Sequence, residues 1–429
     1  MDSYSVISSL VEEVSSLFTP DVWCVGITYP ARLVENIDSF NQVLSAHLRK
    51  SALHFVAKVN QSNACMKWAI EKGCRIEVSS YAELEKAIGF WAQPFNITGS
   101  GPKNGLFLDR LIRIWAVISV DSLFELQKII SIARCLNKKT QIILRLSWFR
   151  ASLPSRFGID IAYLDECFSV LKQWAEFLEF LWIWFHLDTL WIENRQEIFW
   201  ECIDQLERFH MQGMIIQIID IGGWYGSVYQ NDITFDTEIC LRRKGNKSRL
   251  YPEDGEEKWS KFLEIFLGRN NKKDWSISTF LNENCIALWI EPGRSLLTNV
   301  GYVVAKVVSQ RKSIEGDFLI LDTNSFALGM REEEIPTNPY LLGNPEWAKD
   351  HHYYLLWNLC LESDYIFSRK VGFTRKVENS DLIIFPDLGA YHMDFYETNS
   401  ILQPNKSRYF VEKIWNNFSF QKEDSLLNF

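Results

Sequence analysis

Reactive and charged side chains stand at the ends of several short apolar runs in this sequence. They are Lys58, Glu77, Asp121, Arg145, His186, Glu291 and Arg294, and glycine turns stand at other run ends, at Gly99 and Gly101 and at Gly222 and Gly223. A lysine amine that is withdrawn from water can act as a nucleophile. The backbone N–H groups of a glycine turn can bind a phosphate. If they converge, an amine, a phosphate site and an inward acid would form one reactive centre.

Taken singly, each of these residues also has a purely structural explanation. Lys58, in the run HFVAKVN, could lie at a strand edge with its amine in water. His186 could be a hydrogen-bonded core histidine, and Gly222–Gly223 could be only a tight turn. Glu291 could pair with Arg294 inside a turn. The choice depends on whether the fold brings the run ends together.

The apolar runs alternate with helical patterns. Eight runs have strand character, at residues 54–60, 75–80, 95–101, 115–121, 141–147, 180–188, 214–223 and 285–293. The segment DSLFELQKIISIARCL between two of them has apolar residues at helical spacing, and Asp121 or Ser122 can cap its start. Eight strand–helix units predict an α/β fold, a (β/α)8 TIM barrel. An open doubly wound sheet is the alternative, although no GxGxxG motif opens the first unit.

The carboxyl ends of barrel strands open into one mouth, where Lys58, Gly222–Gly223 and Glu291 would meet. Pyridoxal phosphate needs a lysine for its imine, a dipole-rich site for its phosphate and a partner for its ring nitrogen. The set therefore predicts pyridoxal 5'-phosphate as the cofactor. No metal site is predicted.

The alternation of strand-like and helical patterns stops after residue 293. Strand-like runs follow at YVVAKVV, DFLILDT, YIFSRKV and DLIIFPD, with few helical patterns, which predicts a C-terminal β-rich (β-barrel) domain. The segment DVWCVGI near the start is also strand-like. We therefore predict a segment 1–25 that joins the β domain, a cofactor-binding barrel over 26–293 and the β domain over 294–429. The polar stretch 230–280 is predicted to be an inserted loop followed by a helix.

Composition excludes several classes of protein. The 429 residues carry a net charge of −9, which argues against binding of nucleic-acid polymers. The nine cysteines are odd in number and form no CxxC pair, so neither a disulfide framework nor a zinc ribbon is indicated. We find no signal peptide and no membrane-spanning run, and expect a cytoplasmic protein.

The sequence resembles the fold-type III, or alanine-racemase-like, pyridoxal-phosphate enzymes, in the branch of the diaminopimelate, ornithine and arginine decarboxylases. The resemblance extends from about residue 20 to 402. The matching segments, in family order, are FVAKVN, EVSSYAELEKAI, SRFGID, IIDIGGWYG, IEPGRSLL, LCLESDYIF and FPDLGAYHMDFYETN.

The resemblance implies a role for each matching residue. Lys58 would hold the cofactor as a Schiff base, Glu291 would pair with its pyridine nitrogen, and His186 would stack on its ring. Arg145 and Glu77 would lie near Lys58 and the ring. The residues expected around the cofactor phosphate are Thr189, Gly222, Gly223, Gly293, Arg294 and Tyr391.

The resemblance also implies a homodimer with shared active sites. Cys360 and Asp364 would reach the site of the second protomer, where Cys360 would act as the general acid. Cys360, Glu362 and Asp364 are the residues expected to contact the substrate.

The chain departs from the family pattern at several positions. Asp188 replaces a glycine, Thr189 replaces a phosphate-binding serine, and Glu77 stands where aspartate is usual. The loop reads GGW where three glycines are common. The segment 331–340, REEEIPTNPY, lacks the Arg-Pro-x-x-Tyr pattern of diaminopimelate decarboxylases, so diaminopimelate is not the predicted substrate.

The predicted function is decarboxylation of an amino acid, or of a larger substrate that bears an aminocarboxypropyl group, in a biosynthetic or natural-product tailoring pathway. One example is a tailoring decarboxylase of microcin C type, which acts on a modified peptide-nucleotide in antibiotic biosynthesis. The alternatives are a pyridoxal-phosphate-dependent amino-acid racemase and a non-catalytic homologue that binds a partner.

Overall fold

Two sheets and their surrounding helices make up the structure, a computed structural model. It describes residues 3–147, 149, 155–186, 192–223, 225, 227, 249–250, 259–268, 275–314, 316–328, 333–334, 337–344, 350–360, 365–367, 369–394, 405–414 and 417–426. The helices are α1 (Ser3–Ser9), α2 (Val11–Ser16), α3 (Pro30–His47), α4 (Asn63–Glu71), α5 (Tyr81–Gly89), α6 (Gly105–Ile114), α7 (Leu123–Leu136), α8 (Leu164–Gln173), α9 (Ile192–Met211), α10 (Trp259–Gly268), α11 (Ile277–Glu283) and α12 (Ser325–Leu328).

The strands fall into two groups along the chain. Those up to residue 290 are β1 (Cys24–Thr28), β2 (Ser51–Val56), β3 (Arg75–Val78), β4 (Ile97–Gly99), β5 (Val117–Val120), β6 (Thr140–Ser147), β7 (Ile159–Asp160), β8 (Leu178–Phe185), β9 (Ile218–Asp220), β10 (Arg249–Leu250) and β11 (Ala287–Ile290). The later ones are β12 (Gly301–Ser313), β13 (Gly316–Leu321), β14 (Glu333–Glu334), β15 (Tyr340–Leu341), β16 (His351–Leu356), β17 (Val371–Phe373), β18 (Leu382–Phe385), β19 (Ser407–Ile414) and β20 (Asn417–Lys422).

Eight parallel strands form a closed barrel, as the sequence predicts. Their order is β2, β3, β4, β5, β6, β8, β9 and β11, and β11 pairs with β2 to close the ring. The alternative prediction of an open sheet is wrong, because β5 also pairs with β6 and leaves no gap. Each of the eight predicted runs overlaps one of these strands, and β2, β6 and β8 begin one to three residues before their runs. All carboxyl ends therefore lie at the same end of the barrel.

Hydroxyl caps and apolar faces fix the helices between the strands. Ser80 accepts the N–H of Glu83 at the start of α5, and Ser122 accepts the N–H of Glu125 at the start of α7. Such a cap stabilises a helix by about 1 kcal/mol. The helices pack their apolar faces on the outside of the barrel in one large core.

A separate apolar cluster lies on the other face of the barrel strands. It is built on three tryptophans, Trp182, Trp184 and Trp289, packed with smaller residues of β5, β6 and β11. The rings of Trp182 and Trp289 meet edge to face, with centroids 4.4 Å apart. Because side chains alternate between the two faces of a strand, this cluster fills the barrel interior.

Most strands after residue 293 form a second sheet, which confirms the predicted β-rich domain, and this sheet contains both parallel and antiparallel pairs. Its main path is β17–β16–β13–β12–β1–β19–β20, with β18 paired to β12 and β15. Strand β1 pairs with β12 and β19, and α1 and α2 pack on this sheet through Val6, Ile7 and Val14. Strand β1 extends to Thr28, three residues beyond the predicted first segment. The division into 1–25, 26–293 and 294–429 stays a prediction.

Some elements do not follow from the apolar runs. Strands β16, β19 and β20 were not predicted, and the run YIFSRKV contributes only its last residue to β17. Helix α10 confirms a helix within 230–280, whereas the predicted inserted loop lies mostly outside the described residues. None of the helices in the described ranges has the length and apolar character needed to cross a membrane.

Candidate active site

Lys58 lies in a short 3₁₀ turn, Ala57–Val59, directly after β2. The strand is buried, but the Lys58 side chain is 47% exposed. The strand ends at Val56, two residues before Lys58, so the lysine follows the strand instead of lying at its tip. The turn presents the amine at the carboxyl end of the barrel, where the other strand ends also open.

The turn that carries Lys58 is held by residues 389–394, which follow β18 of the second sheet. Tyr391 donates its N–H to the Val59 carbonyl over 2.7 Å, and the Asn60 amide donates to the Gly389 carbonyl over 2.6 Å. The Gln61 N–H donates to an Asp394 carboxylate oxygen over 2.9 Å. Asn60 is buried. The position of the amine therefore depends on the segment 389–394.

Glu77 forms an ion pair with the Lys58 amine. The Lys58 Nζ lies 3.8 Å from the Glu77 Oε1, and Glu77 is buried in β3. The same carboxylate oxygen accepts a hydrogen bond from the Ser100 hydroxyl. The negative charge of Glu77 is the main cause that raises the pKa of Lys58, with smaller contributions from Tyr391 and Glu291. The resting amine is therefore protonated at neutral pH, and it must lose a proton before it can attack a carbonyl.

Glu77→Gln is expected to speed attachment of pyridoxal 5'-phosphate to the cofactor-free protein several-fold at neutral pH. Without the Glu77 charge the pKa of Lys58 falls, and a larger fraction of the amine is neutral below that pKa. Stopped-flow absorbance at saturating cofactor, across a pH series, measures the rate. Glu85→Gln, which breaks a surface pair with Arg110, is the matched control. Unchanged or slower attachment in Glu77→Gln would contradict this role.

Glu291 is buried at the end of β11, where the sequence predicts an inward acid. It is 5% exposed, and its N–H donates to the Gly222 carbonyl over 2.9 Å. Its side chain is hydrogen-bonded to Asp220, which ends the neighbouring strand β9. Burial first, and then the charges of Asp220 and Glu77, raise the pKa of Glu291 well above its usual range.

The glycine turn after β9 packs tightly against His186. A Cβ at Gly222 would lie 2.4 Å from the His186 Nδ1, and one at Gly223 would lie 2.5 Å from the Glu291 carbonyl oxygen. Gly222 also has a φ of 66°. Only glycine fits both positions. The Gly222 N–H donates to Asp220 and the Gly223 N–H to the His186 Nδ1, so their role at a phosphate stays a prediction.

His186 lies directly after β8, as predicted, and is neutral. Its Nδ1 accepts the Gly223 N–H over 3.3 Å. Burial, together with the charges of Arg145, Lys58 and Arg195, lowers the pKa of His186 well below its usual range. The ring proton of the neutral imidazole is then on Nε2. A neutral, partly buried imidazole suits contact with an aromatic ring better than a charged one.

Three predicted phosphate residues come together after β11. The Arg294 guanidinium lies 5.0 Å from the Tyr391 ring centroid, and a Cβ at Gly293 would lie 3.2 Å from the Tyr391 Oη. Arg294 also has its Nη1 3.1 Å from the His392 Nε2. An arginine and a phenol at a glycine turn are a suitable donor set for a phosphate.

Arg145 lies within β6 and faces the same end. Its Nη1 is 3.5 Å from an Asp121 carboxylate oxygen, and its guanidinium lies over the rings of Trp184 and Phe157 at 4.2 and 4.7 Å. Its charge lowers the pKa of both Lys58 and His186. The structure therefore brings Arg145 near Lys58.

Four residues singled out in the sequence lie outside the described residues. They are Asp188, Thr189, Glu362 and Asp364. Cys360 is described: it is an exposed free thiol four residues after β16. Asn358 anchors this segment, because its N–H donates to the Thr323 carbonyl and its side chain donates to Asp322.

Sequence reasoning missed several residues of the site. Asp220 and His54 are buried polar residues within apolar runs, and Asn60 holds the lysine turn. An acid inside the run IIQIIDIGG, two residues before a glycine pair, was the available signal for Asp220. Nothing comparable marks Asn60.

The donor set fits a phosphorylated pyridine aldehyde. It offers an accessible amine at Lys58, a buried carboxyl at Glu291, and a cationic group at Arg294 beside a phenol. The glycine positions 222 and 223 leave no room for a Cβ, so the backbone itself forms that side of the site.

Known proteins of similar sequence and structure support a site for a pyridoxal cofactor. The family described as "Pyridoxal-dependent decarboxylase, pyridoxal binding domain" matches residues 31–244. An uncharacterized protein of Sinorhizobium fredii is 25% identical over 401 residues, which cover 90% of this chain and 87% of that protein. A probable chloroplastic diaminopimelate decarboxylase of Oryza sativa subsp. japonica is 22% identical over 410 residues, which cover 89% and 73%.

The fold also matches a solved structure. The diaminopimelate decarboxylase of M. jannaschi has a TM-score of 0.76 at 16% identity, over 97% of this chain and 93% of that one. An identity this low shows a common fold alone. Together with the family match over the barrel, it means that the chain belongs to the pyridoxal-dependent decarboxylases of fold-type III, whose cofactor is pyridoxal 5'-phosphate.

Proposed function

We propose that this protein removes the carboxylate of an amino-acid group through pyridoxal 5'-phosphate bound at Lys58. The observation that carries the proposal is the Lys58 amine, 3.8 Å from buried Glu77 and close to Glu291 at the barrel mouth. A lysine with an acid partner in an accessible mouth can form a covalent bond to a carbonyl group. The buried carboxyl group of Glu291 is suited to pair with the pyridine nitrogen of the cofactor.

When bound, the cofactor supplies an aldehyde that joins the substrate amine and a ring that accepts the electrons of the broken carbon–carboxylate bond. The chain's residues bind, orient and move protons around it. Lys58 would attach the cofactor and later release the product amine. Glu291 would pair with the ring nitrogen, His186 would stack on the ring, and Arg294 would balance the phosphate charge.

We further propose that Cys360 protonates the carbon that loses the carboxylate. A thiol is a suitable general acid near neutral pH, and Cys360 is exposed rather than packed in a core. It would act in the site of a partner protomer, with Glu362 and Asp364 contacting the substrate there. This requires a homodimer with shared sites, which also stays a proposal. Thr189 would bind the phosphate beside Gly222 and Gly223.

The substrate we favour is an amino acid other than diaminopimelate, or a larger molecule that carries an aminocarboxypropyl group. The relatives include proteins named diaminopimelate decarboxylases. The argument against their substrate is the segment 331–340, which lacks the arginine–proline–tyrosine pattern expected to grip its far end. A modified peptide-nucleotide in an antibiotic pathway is the specific form of the larger substrate.

Substrate screening with detection of carbon dioxide tests the proposed function. The panel contains diaminopimelate, lysine, ornithine and arginine, followed by an aminocarboxypropyl peptide-nucleotide. We expect little carbon dioxide from diaminopimelate, and release either from one of the other amino acids or from the aminocarboxypropyl peptide-nucleotide. Strong release from diaminopimelate would overturn the substrate proposal. Inversion at Cα without carbon dioxide, seen by chiral analysis, would show a racemase instead.

The proposed compartment is a reducing one, such as the cytoplasm. Its support is that the eight described cysteines are free thiols, five of them buried. Disulfides are rare in reducing compartments.

A further inference from the structure

A column of buried ionisable side chains runs through the barrel interior from Glu291. Asp220 of β9 is hydrogen-bonded to Glu291, and the His54 Nδ1 of β2 lies 3.9 Å from the Asp220 Oδ2. Side-chain N and O atoms of these three residues all lie within 4.8 Å of one another. Asp220 and His54 are each 1% exposed. The roles suggested for the site use Glu291 but not the residues beneath it.

Arg75 anchors the column at the opposite end of the barrel, where β3 begins. Its Nε donates to the His54 Nε2 over 3.3 Å, and its Nη2 donates to the Phe95 carbonyl over 2.7 Å. Its guanidinium lies 4.0 Å from the Trp289 ring centroid. Burial lowers the pKa of Arg75 to about 10, so this residue is charged at neutral pH.

The His54 side chain is neutral within the column. Its Nε2 accepts the Arg75 hydrogen bond, so the proton of a neutral imidazole lies on Nδ1, towards Asp220. Burial and the Arg75 charge both lower the pKa of His54 well below its usual range. His54 is therefore a neutral spacer between a fixed cation and Asp220.

Asp220 and Glu291 compete for one negative charge. Two buried carboxyl groups in contact cannot both ionise without a large electrostatic cost. The Gly222 N–H, donated over 2.9 Å, and the Arg75 charge favour ionisation of Asp220. Burial still raises the pKa of Asp220 to about 7. Glu77, Lys58 and Arg145 face Glu291 from the other side, and Glu291 keeps the proton.

We propose that Asp220 is a positioning residue that keeps one proton on Glu291 in the cofactor-free protein, ready for the ring nitrogen of the cofactor. When bound, the ring would take this proton: the O–H bond of Glu291 would break, an N–H bond would form on the ring, and the ring cation would offset the charges of the two neighbouring carboxylates. Asp220, with His54 and Arg75 beneath it in the column, supplies the negative charge that holds the proton on Glu291 before the ring binds and stabilises the ring cation afterwards. This inference rests on the proposed contact between Glu291 and the ring nitrogen.

Infrared spectroscopy of the cofactor-free protein tests the stored proton. Wild type is expected to show the carbonyl stretch of a neutral carboxylic acid at pH 7, and Glu291→Gln is expected to weaken it, because only the partly protonated Asp220 then contributes. In Asp220→Asn the band should disappear at a lower pH than in wild type, because the neighbouring charge is gone. Asp220→Ser is a second uncharged variant, and Asp109→Asn, on a surface helix, is the matched control.

The holoenzyme provides the second readout. With ¹⁵N-labelled cofactor, nitrogen NMR should show a protonated ring in wild type and a lower titration midpoint in Asp220→Asn, with about a tenfold loss of kcat. The inference is overturned if wild type lacks the acid band, or if Asp220→Asn leaves its titration unchanged. The infrared result is independent of turnover, so it stands apart from any failure to find decarboxylation.

Discussion

Lys58→Ala is expected to reduce decarboxylation by at least about 10⁴-fold, the scale of loss when a residue that forms a covalent bond in the reaction is removed. The protein should also lose the visible absorption band of the attached cofactor. The lysine turn is fixed by backbone bonds from Tyr391 and by Asn60, which do not involve the Lys58 side chain, so the fold should survive. Carbon dioxide release and circular dichroism are the measurements.

A surface lysine provides the matched control for Lys58. Lys72 is partly exposed and pairs with Asp38 outside the barrel mouth, so Lys72→Ala removes an amine without touching the site. It should keep wild-type turnover and absorbance. If Lys58→Ala also kept both, the assignment of Lys58 would be wrong, and the pKa raised by Glu77 would reflect only a structural ion pair.

Cys360→Ala is the second large effect: we expect kcat to fall by about 10²- to 10³-fold, the usual range for a general acid. Cofactor attachment at Lys58 should be unchanged, because the thiol acts only after the carboxylate has left. Cys285→Ala and Cys135→Ala, which remove other exposed thiols, are the controls. A Cys360→Ala enzyme with normal kcat would remove the thiol from the mechanism.

Mixing the two inactive variants tests the shared sites. If Cys360 serves the site of its partner, a hybrid of Lys58→Ala and Cys360→Ala subunits has one site with both residues. Random exchange of subunits should then restore about a quarter of wild-type activity. No recovery, with subunit exchange verified by mass spectrometry, would mean that Lys58 and Cys360 act within the same chain.

The barrel could be predicted from the sequence because its order is local. Each parallel strand is buried on both faces, so it appears as a continuous apolar run, and each intervening helix has its own period and cap. The β-rich sheet was less accessible. Strand β16 begins with two histidines, and β20 has exposed ends with only half-buried residues between them, so neither stands out as an apolar run.

The strand-end residues were predictable for a related reason. In a closed barrel every carboxyl end faces one mouth, so position along the chain converts directly into proximity for Lys58, Glu291 and Gly222. The column of buried side chains inside the barrel could not be predicted, because it depends on the register between neighbouring strands. Asp220 meets Glu291 only because β9 and β11 pair with Trp289 opposite Asp220. Likewise, Arg75 lies opposite His54 only through the pairing of β3 with β2.

Support from distant parts of the chain was also beyond the sequence. Residues 389–394 hold the lysine turn across more than 300 positions, through single hydrogen bonds to Val59, Asn60 and Gln61. The resemblance implies a role at the cofactor phosphate for Tyr391 of this segment. Its second role, holding the lysine turn, becomes visible only when the two units are seen packed together.

Locating the cofactor chemically tests the central claim most directly. Borohydride reduction of the cofactor-loaded protein converts the lysine–cofactor linkage into a stable secondary amine, which peptide mass spectrometry can assign to one residue. We predict the added mass on the peptide that contains Lys58, and none in Lys58→Ala. Stoichiometric label on a different lysine, or no label on protein that releases carbon dioxide, would contradict the account.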